Sequence, residues 1–501
     1  MYAAVTSATL QGTRGVPLVV ETHVGNGIPG FTVVGLPDEG CRESRDRVRA
    51  ALLSCGLPWP NRRVTINLAG AGDRKGGAGM DLAIAVGLLV AQEVVPASAV
   101  TGVAFVAELG LDGSLRATTG VAPLVAALAD REVVVAPASA FEALLARPPA
   151  LRAVPTLADL VEVLCGRAPW PEVDVEAPVG CADPVPDLAD VRGQQAARFA
   201  LETAAAGGHH LLMAGPPGAG KSMLARRLPG LLPRLDEEQA FECAMARSAA
   251  GLPTAGVVPT SAPFRAPHHS VTLAGMVGGG AGVIRPGELT LASHGVLFLD
   301  EMGEFAPSVL DALRQPLEEG RVLIVRAGTS LVLPARCLLV AATNPCPCGG
   351  GEPGECECTP SAIHRYRRRF SGPLLDRFDL RIRLARPRTD ELLGSVPAES
   401  TAVVAARVAA ARAVAVARQG CVNADIPADL LDEVAPLEGR AVSWLRDRME
   451  AGALSGRGYH RVRRTARTVA DLQGDTGIIS TEHVEMAVHL RVPFGPAMQR
   501  I

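Results

Sequence analysis

The chain has 501 residues, a formal net charge of −3, and 48% hydrophobic against 20% charged residues. That is the balance of a globular chain with material for more than one core, about three domains at ~150 residues each. It excludes a uniformly basic nucleic-acid binder, though not a local basic patch, and 3% aromatic residues leave Ala, Val and Leu to build the cores.

The first residues, MYAAVTSATLQGTRG, lack a charged region followed by an apolar core, so no signal peptide is expected. The longest apolar run, Leu82 to Ala91, is ten residues, too short to span a bilayer. The expectation is a cytoplasmic protein with no membrane partner. Its eleven cysteines are then expected as free thiols or metal ligands rather than disulfides.

Residues 1–167 read as one α/β unit. Extended apolar runs (Leu18–Thr22, Val64–Leu68, Val133–Val135) alternate with helix-like segments (Glu39–Ser54, Asp81–Val90, Val121–Ala129). Residues 168–187 are rich in Pro and acids without periodicity and read as a linker. Residues 188–390 form a second α/β unit. Residues 391–501 read as helical, Ala- and Arg-rich.

Within the second unit, His210–Ala214 reads as a buried strand. It runs into Gly215, Pro216, Pro217, Gly218, Ala219, Gly220, Lys221 and Ser222, then MLARRL, which reads as a helix. This is G-x-x-x-x-G-K-S in its strand–loop–helix setting, an ATP site. The glycines let backbone N–H groups curl around phosphates, Lys221 reaches the β- and γ-phosphates, and Ser222 holds Mg2+. Val296–Leu299 is an apolar strand ending in Asp300 and Glu301. Asp300 is expected to coordinate Mg2+ through water, and Glu301 to orient and polarise the attacking water.

Leu338–Thr343 is another apolar strand, ending at Asn344, where a polar residue suits contact with that water; the bland alternative is an Asn turn before Pro345. Next come Cys346, Cys348, Cys356 and Cys358, spaced C-x-C-x7-C-x-C around Gly349–Gly351. Four thiols within 13 residues suit tetrahedral Zn2+, with reduced thiols or a redox role as alternatives. The run His364–Arg369 places Tyr366 among arginines, a composition for phosphate contact and base stacking or for a solvated helix face.

Arg377, in SGPLLDRFD, follows a helix and precedes a strand, the position from which an arginine can reach a neighbouring subunit's γ-phosphate. That role requires a ring or filament, because no subunit then completes its own site. Asp376 and Asp379 are expected to fix the turn. In the helical part, eight arginines lie between 440 and 467. Arg457, with Arg461 second, is the expected lid contact to ATP; a solvated basic face is the alternative.

Taken together, FTVVGLPDEGCRESRDRVRAAL, INLAGAGDRKGGAGMDLAIA, the P-loop, FRAPHHS, PGELTLASHGVLFLDE, NPCPCG, SGPLLDRFDL and SGRGYHRVRRTARTVADL resemble the YifB/ComM family, magnesium chelatase-like AAA+ ATPases, over almost the whole chain. The resemblance implies an N-terminal domain with the Lon protease fold, a central AAA+ module and a C-terminal helical lid. It implies a hexameric DNA helicase of the branch-migration type, acting on single-stranded or branched DNA. The motor subunit of a metal chelatase, or of another protein-remodelling assembly, is the alternative.

Lon-type proteolysis needs a Ser nucleophile and a Lys base. The loop that looks equivalent, Arg74–Gly79, has no Ser, and Gly120–Pro123 has no Lys. The front domain is therefore expected to be non-proteolytic. His268 and His269 precede a stretch, Val271–Pro286, that in this branch of AAA+ proteins often faces the pore; a paired-His metal site is the lesser alternative.

Overall fold

The computed structural model describes residues 1–35, 39–70, 78–172, 185–253, 259–280, 284–326, 329–350, 356–390 and 398–493. The first unit is a seven-stranded sheet built from β1 (Tyr2–Gln11), β2 (Arg14–Gly25), β3 (Gly30–Val34), β4 (Arg63–Gly70), β5 (Val103–Val106), β8 (Glu132–Val135) and β9 (Ala150–Ala153), in the order β3-β4-β2-β1-β5-β8-β9. Two short strands, β6 (Glu108–Leu109) and β7 (Leu115–Arg116), pair with each other beside it. Strand alternation feeds two cores. Val103 and Phe105 face the helices Glu39–Ser54 and Asp81–Ala91, while Ala104 and Val106 face the helix Val121–Ala126. The Leu82–Ala91 run is a helix buried along its whole length. Residues 71–77, which hold Lys75 and most of the loop compared with the Lon nucleophile loop, lie outside the described residues, as do 173–184 of the expected linker.

The second unit carries β10 (Leu211–Ala214), β11 (Phe264–Arg265), β12 (Val296–Leu299), β15 (Leu338–Thr343) and β16 (Leu380–Arg383) in one parallel sheet, ordered β11-β12-β15-β10-β16. Its three central strands, β12, β15 and β10, read as apolar runs because both faces are covered, while the edge strands β11 and β16 each carry arginine. Leu211 and Met213 enter one core while Leu212 enters the other, and the same alternation splits Val296 and Phe298 from Leu297 and Leu299. Between β12 and β15 the chain forms an antiparallel hairpin, β13 (Arg321–Arg326) and β14 (Thr329–Pro334), with Leu323, Val325 and Val332 exposed.

The remaining segments are helices: Thr401–Gln419, Leu431–Val434, Gly439–Glu450, Gly456–Leu472 and Thr481–His489. Ser455 caps the fourth by accepting the Gly458 N–H at 3.1 Å. Their small core joins Leu431, Leu445, Val462, Ala466, Ile479 and Val484. The front unit packs on the central one, with Ala122 and Leu145 against Ala244 and Met245. The Ala122 N–H donates to Ser248 Oγ at 3.2 Å, and the Gly12 turn lies against Leu331 and Leu333 of β14.

Candidate active site

The loop 215–222 leaves the C-terminal end of β10 next to the ends of β12 and β15. Gly218 and Gly220 take the left-handed region (φ 81° and 88°), which only glycine enters freely. Gly215 passes so close to the Leu384 carbonyl that a Cβ there would sit 2.6 Å from it. The helix that follows is short, Lys221–Ala225, where the sequence reading ran it on through Leu228. Pro229 accounts for the shortening, because it has no N–H to donate to the Ala225 carbonyl, and the chain continues as a 3-10 turn at Leu228–Gly230.

Lys221 Nζ donates to the carbonyls of Gly215 (2.5 Å) and Pro216 (3.0 Å) and to Asn344 Oδ1 (3.0 Å). Burial lowers its pKa, and Asp300 and Glu301 push back. Ser222 Oγ donates to Asp300 Oδ2 at 2.7 Å. Glu301 is exposed and adopts φ 50°, ψ 48°, a conformation few non-glycine residues hold. Strand ends thus bring together Lys221, Ser222, Asp300, Glu301 and Asn344. The hydroxyl and carboxylate, in contact and without a basic side chain between them, are a donor set suited to Mg2+, and the glycine turn suits phosphate.

Arg377, Arg457 and Arg461 stand elsewhere. Arg377 lines a cleft of about 1040 Å³ together with His210, Leu338 and Arg461. His210 and Leu338 sit at the starts of β10 and β15, so the cleft opens at the opposite strand ends from the P-loop of the same chain. The Arg377 guanidinium pairs with Glu318 at 2.5 Å. Arg461 pairs with Asp379 and donates to the Arg377 carbonyl at 3.2 Å. Arg457 is exposed, within electrostatic reach of Arg377. Arg461 and Arg457, both on the helix Gly456–Leu472, thus stand with Arg377 on this side of the sheet, away from the P-loop of the same chain.

Asp379 is buried among these groups. Burial alone would raise its pKa, but the His209 hydrogen bond (3.2 Å) and the Arg461 charge hold it well below the usual carboxylate range. His209 continues the network to Thr468 Oγ1 at 2.7 Å. Burial also pushes the neighbouring His210 down to about 4, and its Nδ1 accepts the Leu339 N–H at 3.1 Å.

In the two basic segments some side chains are taken up by internal contacts, although His364, Arg365, Arg368 and Arg369 are exposed. Tyr366 is 6% exposed; its hydroxyl bonds Thr343 Oγ1 at 2.9 Å and its ring lies on Gly303, so it stacks no base. In the lid, Arg463 donates to the carbonyls of Leu431 and Ala435, Arg464 to that of Ile426, and Arg467 to that of Gly477. These three arginines hold the lid together. His268 and His269 lie ring to ring with centroids 4.0 Å apart. No described metal cluster includes either histidine; the described set of metal-capable groups is Cys346, Cys348, Cys356 and Cys358, whose sulfurs all lie within 4.8 Å of one another. Gln194 was missed in the sequence: it enters the left-handed region (φ 51°) and bonds the Ala219 carbonyl at 3.3 Å from before the first helix of the unit.

Family profiles described as magnesium chelatase subunit ChlI match residues 187–392 and 20–139, and its C-terminal profile matches 398–491. The chain is 41% identical to Competence protein ComM of Haemophilus influenzae, over 96% of each chain. It is 40% identical to YifB of Escherichia coli, over 96% of this chain and 95% of that one. A Mycobacterium tuberculosis protein is 43% identical over 94% and 95%. A shorter stretch, 174 residues, is 27% identical to DNA helicase MCM8 of Gallus gallus, covering 35% of this chain and 17% of that one. No described helix is long and apolar enough to cross a membrane.

Proposed function

The chain belongs to the YifB/ComM family of magnesium chelatase-like AAA+ ATPases, and from that premise we propose that it is an ATP-driven motor on DNA, a cytoplasmic hexameric ring that migrates branched strands. The observation that carries the ATPase half is the convergence of Lys221, Ser222, Asp300, Glu301 and Asn344 at three adjacent strand ends. Bound Mg·ATP supplies the phosphoanhydride and a divalent charge that neutralises it. The loop N–H groups and Lys221 bind phosphate. Ser222 and Asp300 hold Mg2+, the latter through water. Glu301 orients water and takes its proton at the carboxylate, and Asn344 positions that water.

Arg377 acts in trans. Its placement at the far strand ends supports this, because a neighbour's P-loop docked there would receive Arg377, with Arg461 and Arg457 beside it. DNA as substrate is supported by the likeness to DNA helicase MCM8 and by the full-length likeness to Competence protein ComM. The front domain, Lon-like and non-proteolytic, serves binding or assembly; residues 1–167, 188–390 and 391–501 are the three units, joined by 168–187. A chelatase-type motor is the second reading, favoured by the ChlI profiles.

The test is branch migration of a labelled four-way DNA junction. ATP-dependent strand exchange, absent with Glu301→Gln, is expected. A junction left untouched by a chain that hydrolyses ATP normally would move the assignment to the chelatase-type reading.

A further inference from the structure

The four-cysteine loop stands directly beside the nucleotide machinery. Cys346 follows Asn344 by two residues and is 2% exposed. Pro347 fixes one backbone angle between the first two thiols, and Gly349 turns the chain in the left-handed region (φ 83°). That turn rests on the P-loop: a Cβ on Gly349 would lie 2.9 Å from the Pro217 ring. On its other side, Cys358 leads into the helix Pro360–Arg367, which delivers Tyr366 to Thr343 and Gly303. Arg369, just beyond it, donates to the Gly303 carbonyl at 2.6 Å. Gly303 is two residues from Glu301. The loop therefore follows the strand end carrying Asn344, rests on the P-loop, and leads into the helix whose Tyr366 and the Arg369 beyond it contact the turn carrying Glu301.

The sulfurs are arranged as one set rather than as two pairs. Cys346 and Cys348 are 3.3 Å apart, Cys346 and Cys356 3.5 Å, Cys348 and Cys356 3.7 Å, with Cys358 completing the group. A tetrahedral zinc with Zn–S bonds of ~2.3 Å requires sulfurs ~3.8 Å apart. A single ion between the four needs shifts of a few tenths of an ångström among Cys346, Cys348 and Cys356, and of up to about 1 Å to draw in Cys358.

We infer that Cys346, Cys348, Cys356 and Cys358 bind one Zn2+, and that this ion clamps the P-loop, Asn344 and the Glu301 turn into the hydrolytic arrangement. Binding deprotonates the thiols and forms four Zn–S bonds; no electron is transferred. The second half of the inference rests on the ATPase reading above, whereas the first half does not.

The experiment uses the full chain purified under reducing conditions and reconstituted with zinc. Its metal content is compared with that of a Cys356→Ser/Cys358→Ser variant and of a Cys421→Ser control. Cobalt substitution reports the ligand set through the visible bands of a tetrahedral tetrathiolate. One zinc per chain is expected in the wild type and the control, and none in the double variant. Turnover in the double variant should fall about a hundredfold, the cost of misplacing reacting groups by about 1 Å, while a fluorescent ADP analogue still binds. Where the variant fails to fold, zinc is stripped from the wild type with a chelator and added back, and turnover should fall and return with it. A reconstituted wild type without zinc overturns the site. Zinc loss with unchanged turnover overturns the clamp. Zinc bound in a chain that hydrolyses no ATP under any condition refutes the ATPase reading and the clamp that rests on it, but not the metal site.

Discussion

Replacing Arg377 by Ala should abolish hydrolysis, and mixing that variant with Lys221→Ala should restore part of it. The reason is distance. Arg377 lies at the start of β10's edge of the sheet and the P-loop at its end, four residues apart along the strand. At ~3.3 Å per residue the separation is about 13 Å, more than an arginine side chain extends. Among the described residues its ion pair is with Glu318, which is more than half exposed, so the truncation leaves no buried charge unpaired and should cost little stability. Loss of a transition-state arginine is expected to lower turnover by about 10³- to 10⁵-fold. In a randomly mixed ring, a site works only where an Arg377→Ala subunit supplies the P-loop and a Lys221→Ala subunit supplies the arginine. That combination occurs at about one interface in four for equal mixing in a cyclic assembly. A coupled phosphate-release assay on mixed rings, verified by native mass spectrometry, should therefore recover about a quarter of the wild-type rate per subunit if sites act independently. Verified mixed rings that stay silent, with each homomeric variant correctly folded, would refute a trans arginine at this position.

Glu301→Gln should keep ATP binding and lose about 10²- to 10⁴-fold in turnover, the usual worth of a positioned base; isothermal titration alongside the phosphate assay separates the two. Asp379→Asn removes the acid between His209 and Arg461, and an uncompensated buried partner costs about 3–5 kcal/mol, so denaturant melts should show the lid region releasing early. His210 is neutral in the fold at ordinary pH, with a folded pKa down to about 4 against 6.5 unfolded. Its contribution is complete above pH 6.5 and is lost as pH falls toward 4, because the unfolded chain binds the extra proton. Between pH 6.5 and 4.5 the wild type should lose about 2 kcal/mol relative to His210→Asn, after allowance for solvent in the cleft. Parallel melts of the two that keep a constant difference across that range would remove His210 from this role.

Features coded over a few residues were legible in the sequence. The P-loop, the Asp300–Glu301 pair, β15 from Leu338 to Thr343 and the lid helix opening at Ser455 all depend on local pattern, capping and strand runs. The thiols were legible as a set because their spacing is short. The illegible features depend on contacts far along the chain. Tyr366 looked like a stacking residue until Gly303, 63 positions earlier, was seen to receive its ring. The pairing of Arg461 with Asp379, 82 positions away, which sets it on the cleft beside Arg377, has no local signal. The β13–β14 hairpin reads as continuous apolar runs, VLIV and LVL, so the exposure of Leu323 and Val325 beside buried Val322 and Ile324 has no signal in residue type.

The central claim, an ATPase that works on DNA, is tested most directly by the steady-state ATP turnover of the full chain with and without single-stranded and four-way-junction DNA at two salt concentrations. The account predicts clear stimulation that weakens at the higher salt, because a motor gripping phosphates competes with counterions. Robust turnover that no DNA changes at either salt would contradict it.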